Sequence, residues 1–221
     1  MCTPTADRTC ACEEVRQALE AEISVQGLKL SVGAMKTACD GVCRYGPLVG
    51  FPQRGFFYRQ VSPERAREVV AETLAKGHIL FDLLHCDPLK ATSGRILYDR
   101  HCGFITTIDD SFCMVQVARY FLEFDRGVSC GKCVPCRIGS VQLRETLDRI
   151  IRGQGRPEDL ELTERICNAM RDAAYCDFGK TSSAPVSLIL KYFRSEFESH
   201  IDQRLCPAGV CPGLTGTREE E

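Results

Sequence analysis

Tryptophan is absent from this chain of 221 residues, and histidine occurs only four times. So few histidines argue against haem and against metal sites built from several imidazoles. An excess of either charge is missing too. The 28 Lys and Arg residues face 30 Asp and Glu, a net charge of −2, which gives no basic footprint for nucleic acid. No apolar run reaches the roughly eighteen residues needed to span a bilayer. The first residues, Met1-Cys2-Thr3-Pro4-Thr5, lack a charged-then-apolar signal region, so the expected location is the cytoplasm.

Cysteine, by contrast, is abundant, at fifteen residues. An odd count without a secretory signal does not describe a closed disulfide set, and reduced cysteines in such number point to metal centres. Hydrophobic residues make up 44% of the chain, enough for a core, and the length suits one or two domains.

The densest motif is Ser129-Cys130-Gly131-Lys132-Cys133-Val134-Pro135-Cys136-Arg137, a Cys-x2-Cys-x2-Cys triplet. A fourth cysteine, Cys176, follows in Tyr175-Cys176-Asp177-Phe178-Gly179-Lys180. Three thiolates at this spacing hold three corners of a [4Fe–4S] cube, and a distant cysteine closes the fourth. Gly131 permits a tight turn, and Pro135 fixes the loop before a helix. Zinc also takes four cysteines, but more often as two separated Cys-x2-Cys pairs, so the triplet favours iron and sulfur.

The N-terminal half alternates helix and strand. Cys2, Cys10 and Cys12 lie in a polar start. Val15, Ala18, Leu19 and Ile23 predict a helix, with Glu13 and Glu14 at its anion-favouring end. Leu28, Leu30 and Val32 alternate as a strand. A Cys39-x3-Cys43 pair follows in a Gly-rich loop, then a short strand, a returning strand at Phe56-Phe57-Tyr58, and a helix opened by Ser62 as cap and Pro63. That helix carries Ala66, Val69, Val70, Thr73 and Leu74; Ile79, Leu80, Leu83 and Leu84 form a last apolar segment.

The run Cys39–Leu84 resembles the thioredoxin-like [2Fe–2S] ferredoxins, including the 24 kDa-type subunit of NADH dehydrogenases. The resemblance lies in the Cys-x3-Cys, the Gly46-Pro47-Leu48-Val49 after it, Phe57-Tyr58, and Val61-Ser62-Pro63-Glu64. It implies a [2Fe–2S] cluster on Cys2, Cys10, Cys39 and Cys43, with Cys12 as a substitute for Cys10. The family's usual Gly before the third ligand is Ala38 here.

Residues 89–112 read as a connector with a strand at Phe104–Ile108. From Met114 a helix carries Val117, Tyr120, Phe121 and Phe124 at three- and four-residue steps. Three more follow the cysteine loop: one from about Cys136 to Ile151, one opened by Pro157-Glu158-Asp159, and one after Pro185 reaching Phe197. The expected fold is therefore α+β. A thioredoxin-like ferredoxin domain (1–88) and the connector precede a four-helix [4Fe–4S] bundle (113–205) and a cysteine-containing tail (206–221).

This second half is similar to the C-terminal region of the 51 kDa-type flavoprotein subunit of complex I. It also resembles the corresponding NAD-linked subunits of bifurcating [FeFe] hydrogenases and formate dehydrogenases. Cys113-Met114-Val115, Tyr120-Phe121-Leu122, the cysteine loop, Gly179-Lys180-Thr181 and Tyr192-Phe193-Arg194-Ser195-Glu196-Phe197 carry the similarity. In those subunits a flavin and NADH domain precedes the bundle. Here Gly153-Gln154-Gly155 follows a helix and lacks a third glycine, so it stops the helix and is no dinucleotide fingerprint; neither FMN nor NAD is expected on this chain.

Cys113, His200, Cys206 and Cys211 remain, the last three as His-x5-Cys-x4-Cys, and a Cys3His set suits zinc. The alternative is a His200 that merely caps a helix beside incidental cysteines. Cys86, Cys102 and Cys167 read as buried apolar residues, and His78, His85 and His101 have no partner pattern.

These readings describe an electron-relay subunit of a multisubunit oxidoreductase. Its partners would be a flavin- or metal-bearing catalytic subunit and ferredoxin-like subunits. A zinc-stabilised structural or assembly subunit without a redox role is the alternative. A thiol enzyme using Cys39 or Cys43 is a weaker fit, because Cys-x3-Cys is not the Cys-x2-Cys of thiol–disulfide chemistry.

Overall fold

The computed structural model describes residues 1–2, 10–39, 45–85, 95–100 and 103–216. The chain divides into two compact units, Met1–Asp110 and Ser111–Glu221. Together they hold helices and small sheets, an α+β protein. No helix among the described residues is long and apolar enough to cross a membrane.

In the first unit, α1 spans Cys12–Val25 and buries Val15, Leu19 and Ile23 of the stripe expected from the spacing; Ala18 is half-buried, and Cys12, expected in the polar start before the helix, is buried as its first residue. Gly27 leaves the helix at φ 65°. The strand expected at Leu28, Leu30 and Val32 does not form. Leu30 is 49% exposed, and the Val32 carbonyl accepts the Arg16 guanidinium at 2.7 Å. Alternation makes a strand only where a neighbour supplies the ladder, and the ladder begins further on. The Met35 N–H donates to the Met1 carbonyl at 2.9 Å, Cys2 bridges Met35 in parallel, and β1 is Thr37–Ala38.

Strands β2 (Val49–Phe51) and β3 (Phe56–Tyr58) form an antiparallel hairpin in the register Gly50↔Phe57. The Phe51 and Phe56 rings stack at 4.8 Å. The Cys2 N–H donates to the Leu48 carbonyl at 3.2 Å, which ties the chain start to the run-in of β2.

The helix after Ser62 is less regular than its stripe suggests. A 3-10 turn at Pro63–Arg65 leads into α2 (Ala66–Glu68), which continues as π-helix over Val69–Ala75. Ser62 has the extended backbone of a cap, but its side chain makes no cap hydrogen bond. Ala66, Val69, Val70 and Thr73 are buried as expected. The buried Thr73 hydroxyl meets the Tyr58 hydroxyl at 2.8 Å, and the Tyr58 oxygen also accepts the Leu80 N–H at 2.8 Å. Of the last apolar segment, Leu83 is buried, whereas Ile79 is 38% exposed.

The expected connector strand is β5 (Phe104–Thr107), and it has a partner that the sequence did not suggest, β4 (Ile96–Asp99). The sheet order is β1-β5-β4, with every pairing antiparallel.

In the second unit, α3 (Met114–Val128), α4 (Val134–Ile151) and α5 (Glu158–Ala173) are the long helices. The third helix expected after the cysteine loop is two: α7 (Ala184–Tyr192) and α8 (Arg194–Asp202), broken where Phe193 adopts ψ 34°. A short α6 (Asp177–Thr181) precedes them. Strands β6 (Leu205–Cys206) and β7 (Thr215–Gly216) pair in parallel.

Helix α3 turns Met114, Val117, Ala118, Phe121 and Leu122 inward. Tyr120 and Phe124 fit the same apolar spacing, yet they lie at 48% and 62% exposure on its other side. Helices α4 and α5 are joined by Arg149 and the buried Asp159 at 2.6 Å, and Asp159 also accepts the Arg156 N–H at 3.0 Å.

Gly50 is a close-approach position. A Cβ there would stand 2.8 Å from the Ile108 carbonyl oxygen and 3.0 Å from the Met35 sulfur. Gly50→Ala should therefore destabilise the first unit by about 1–3 kcal/mol through overpacking against backbone. Denaturant unfolding measures this; an unchanged midpoint would contradict the packing.

Candidate metal centres

The cysteine loop runs from the end of α3 into α4. Gly131 sits at φ 65°, and its N–H donates to Ser129 Oγ at 3.3 Å. Ser129 Oγ in turn lies 3.4 Å from Cys136 Sγ. Cys133 is the N-cap residue of α4, where free N–H groups and the helix dipole favour a thiolate. Hydrogen bonds from the backbone N–H groups of Tyr175 first, and then Cys136, hold the Cys133 thiol below its ordinary range.

The Tyr175 contact bears on the fourth cysteine. Tyr175 precedes Cys176, and Gly179 follows it in α6. A Cβ on Gly179 would stand 3.4 Å from Cys136 Cβ and 3.8 Å from Cys133 Sγ. The segment bearing Cys176 is thus pressed against two members of the triplet from both sides of that cysteine. Cys130 and Cys176 are exposed, Cys133 is half-buried and Cys136 is buried. Lys132, Arg137 and Lys180 are exposed around them. A sulfur set drawn from two segments, with N–H donors already on one thiolate and bare glycine beside it, fits an iron–sulfur cube.

The second site is the leftover set. Cys113, His200, Cys206 and Cys211 are all buried, and their ligand atoms lie within 4.8 Å of one another. His200 Nε2 is 3.3 Å from Cys113 Sγ and 3.4 Å from Cys211 Sγ, and the two sulfurs are 3.5 Å apart. Tetrahedral zinc, with Zn–S about 2.3 Å and Zn–N about 2.0–2.1 Å, sets its ligand atoms roughly 3.5–3.8 Å apart. The donor set and its spacing fit that ion.

His200 is oriented for this role. Its Nδ1–H donates to the Glu196 carbonyl at 2.6 Å, which leaves the Nε2 lone pair facing the thiols. The buried Glu196 carboxylate accepts the Met114 N–H at 3.0 Å, one of the free donors at the start of α3. Gln116 Nε2 donates to Cys211 Sγ at 3.2 Å and to the Val210 carbonyl at 3.0 Å. The Cys113 hydrogen bond, then those of His200 and Gln116, pull the Cys211 thiol down to about 4; the Cys211 neighbour and burial push Cys113 up. The first proton leaves this group easily and the next does not, unless a cation takes its place.

The third site lies in the first unit. Cys2 Sγ accepts the Leu48 N–H at 3.2 Å and lies 3.2 Å from Cys12 Sγ. Cys12 Sγ lies 3.0 Å from Cys10 Sγ. The hydrogen bond with Cys12 is the main cause drawing the Cys2 thiol down to about 7, while that contact and burial push Cys12 up. Cys39 is buried at the end of β1. Cys43 lies outside the described residues.

Of the other cysteines and histidines, Cys167 is buried as expected, and Cys86, Cys102 and His101 lie outside the described residues. His78 pairs with Glu72 at 3.1 Å, and His85 packs edge-on against Tyr45 at 5.1 Å. Sequence reasoning missed Glu196, Gln116, Gly179 and the Tyr175 N–H. Glu196 was the one with a signal, four residues before His200 on the same helix.

Residues 116–200 match the family described as the NADH-ubiquinone oxidoreductase-F iron-sulfur binding region. All four cysteines of the proposed cube fall inside that match; of the Cys3His set only His200 does. The chain is 42% identical over 112 residues to the NADP-reducing hydrogenase subunit HndC of Solidesulfovibrio fructosivorans, covering 51% of this chain and 23% of that protein. Against the F 2 subunit of the NADH-quinone oxidoreductase of Rhizobium meliloti it is 41% identical over 103 residues, covering 47% and 24%. Against the beta subunit of the NADP(+)-dependent formate dehydrogenase of Moorella thermoacetica it is 33% identical over 91 residues, covering 41% and 13%. The chain thus spans about a quarter or less of the length of these relatives. A solved NAD+-reducing [NiFe]-hydrogenase chain aligns with 82% of this chain at 22% identity and a TM-score of 0.45, too low to bear on the fold. The second unit therefore carries an iron–sulfur binding region of the NADH-quinone oxidoreductase F kind.

In metal-free protein near pH 7, iodoacetamide should modify Cys133 well before Cys167. The lowered Cys133 thiol holds more thiolate at that pH, whereas burial pushes Cys167 up and hides it. Peptide mass analysis reads the order; equal rates would contradict it.

Proposed function

We propose that the chain is an iron–sulfur electron-relay subunit of a multisubunit oxidoreductase. Its second unit would hold a [4Fe–4S] cube on Cys130, Cys133, Cys136 and Cys176, and its first unit, thioredoxin-like, a [2Fe–2S] cluster on N-terminal cysteines with Cys39 and Cys43. The observation that carries the reading is the seating of the Tyr175–Gly179 segment against Cys133 and Cys136, within the residues that match the iron–sulfur region. The pairing of Met1-Cys2 with Met35 on one side and Leu48 on the other is in keeping with a 24 kDa-type ferredoxin domain.

Such clusters accept and release single electrons without proton or nucleophile chemistry from the protein. The residues of this chain have other tasks. The cysteines hold the irons. The N–H groups of Tyr175 and Cys136 offset thiolate charge, and the exposed Lys132 and Arg137 favour the more negative, reduced state. Exposure of Cys130 and Cys176 leaves one side open to a flavin- or metal-bearing partner. Relatives named as hydrogenase, NADH-quinone oxidoreductase and formate dehydrogenase subunits support a role beside such partners. The domains would fall where the cysteine motifs and helical stripes put them, with the four-helix unit as the cube's support.

Cys113, His200, Cys206 and Cys211 would hold a structural zinc that clamps the start of α3, the last turn of α8, β6 and the loop after it together. This is also the observation that favours the second reading, a zinc-stabilised assembly subunit without redox function. The two differ in whether iron is present.

Cys133→Ser should abolish the low-temperature paramagnetic signal of the cube and leave the other cluster's signal in place. An unchanged spectrum would refute the ligand assignment. Cys206→Ser should remove close to one zinc per chain, lower Tm by more than about 5 °C, and leave the iron signals intact. Full retention of zinc would rule out a metal at this site.

A further inference from the structure

Three hydroxyl side chains, Ser129, Ser140 and Ser182, line a small cavity against Cys136 in the second unit. Two of them are turned to backbone carbonyls. Ser140 Oγ donates to the Arg137 carbonyl at 3.3 Å, and Ser182 Oγ to the Gly179 carbonyl at 3.2 Å. Ser129 differs. Its Oγ accepts the Gly131 N–H at 3.3 Å and lies 3.4 Å from Cys136 Sγ.

Those two contacts set the direction of the second one. A serine hydroxyl has one proton and two lone pairs. The Gly131 N–H takes a lone pair, which leaves the proton to be donated. A cysteine bound to iron has lost its own proton and can only accept. The backbone holds Ser129 at this point: it follows α3 with an extended ψ of 136°, and its N–H donates to the Arg126 carbonyl at 3.3 Å. Cys136 lies in the first turn of α4 and is 5% exposed, so little water competes for its sulfur.

Resting on the cube proposed for the second unit, we infer that Ser129 is a positioning residue whose O–H donates to Cys136 Sγ and raises the reduction potential of the cube. Reduction adds one electron, and part of the added negative charge falls on the sulfurs. A proton aimed at one sulfur is therefore bound more strongly in the reduced state. Cys133 takes its donors from backbone N–H groups, which no substitution deletes. The donor to Cys136 is a side chain, and it can be deleted.

The test uses the full chain as wild type, Ser129→Ala, Ser129→Thr and Ser140→Ala, each purified anaerobically. Each is titrated with dithionite in the presence of mediators, and the low-temperature signal of the reduced cube is read against solution potential. Iron and sulfide per chain report whether the cube is present. Ser129→Ala should keep its cube. At the wild-type midpoint its ratio of reduced to oxidised cube should be about three- to tenfold lower, a tenfold fall being a negative shift of about 59 mV for one electron. Ser129→Thr keeps the hydroxyl and should titrate with the wild type. So should Ser140→Ala, whose lost hydroxyl faces a carbonyl. An unshifted or raised midpoint in Ser129→Ala overturns the assignment, as does an equal fall in Ser129→Thr or Ser140→Ala. Loss of the cube from Ser129→Ala overturns it too, since the hydroxyl would then build the loop through Gly131 instead of tuning the sulfur. A wild-type chain without the cube's signal fails at the cube itself, and the inference falls with it.

Discussion

Crowded sulfur is the constraint on which this structure depends. Cys113 and Cys211 stand 3.5 Å apart with His200 beside both, and Cys12 lies within 3.2 Å of Cys2 and 3.0 Å of Cys10. Neighbouring thiols cannot all ionise, because each negative charge raises the cost of the next. A bound cation removes that cost and turns a repulsive cluster into a tie between distant segments. In the second unit such a tie would join residues eighty-seven positions apart, Cys113 and His200.

The same helix connects the two sites of that unit. Cys113 caps the start of α3, and Ser129, which bounds its end, adjoins Cys130. A helix of this length extends about 22 Å. Anything that fixes its first turn therefore also fixes the entry of the cysteine loop. The Glu196 carboxylate on the Met114 N–H and the Gln116 bond to Cys211 act at that first turn. The sulfurs recur at helix starts: Cys113 and Cys133 cap α3 and α4, and Cys12 opens α1. Free N–H groups favour a thiolate at Cys133, whereas at Cys113 and Cys12 the neighbouring thiols and burial outweigh that effect and push the thiol up.

Much of this was legible in the sequence because cysteine spacing and helical periodicity are local. The Cys130–Cys136 triplet, the stripe Val15-Leu19-Ile23, the hairpin at Phe56–Tyr58 and the His-x5-Cys-x4-Cys set are all patterns within a few turns of chain. What escaped was decided by partners far away. Leu28, Leu30 and Val32 alternate correctly, yet no strand among the described residues lies beside them, while β4 acquires one in β5. Tyr120 and Phe124 keep the spacing of a core stripe but fall on the outer side of α3. The break at Phe193 has no proline or glycine to mark it.

The central claim is that sulfur from these positions is there to hold metal. Elemental and acid-labile sulfide analysis of the wild-type chain, purified without oxygen, tests it most directly. The expected result is about six irons, about six sulfides and about one zinc per chain, the sum of one [2Fe–2S] centre, one [4Fe–4S] centre and one Cys3His ion. Zinc alone, with iron and sulfide at background, would contradict the relay and leave a structural subunit in its place.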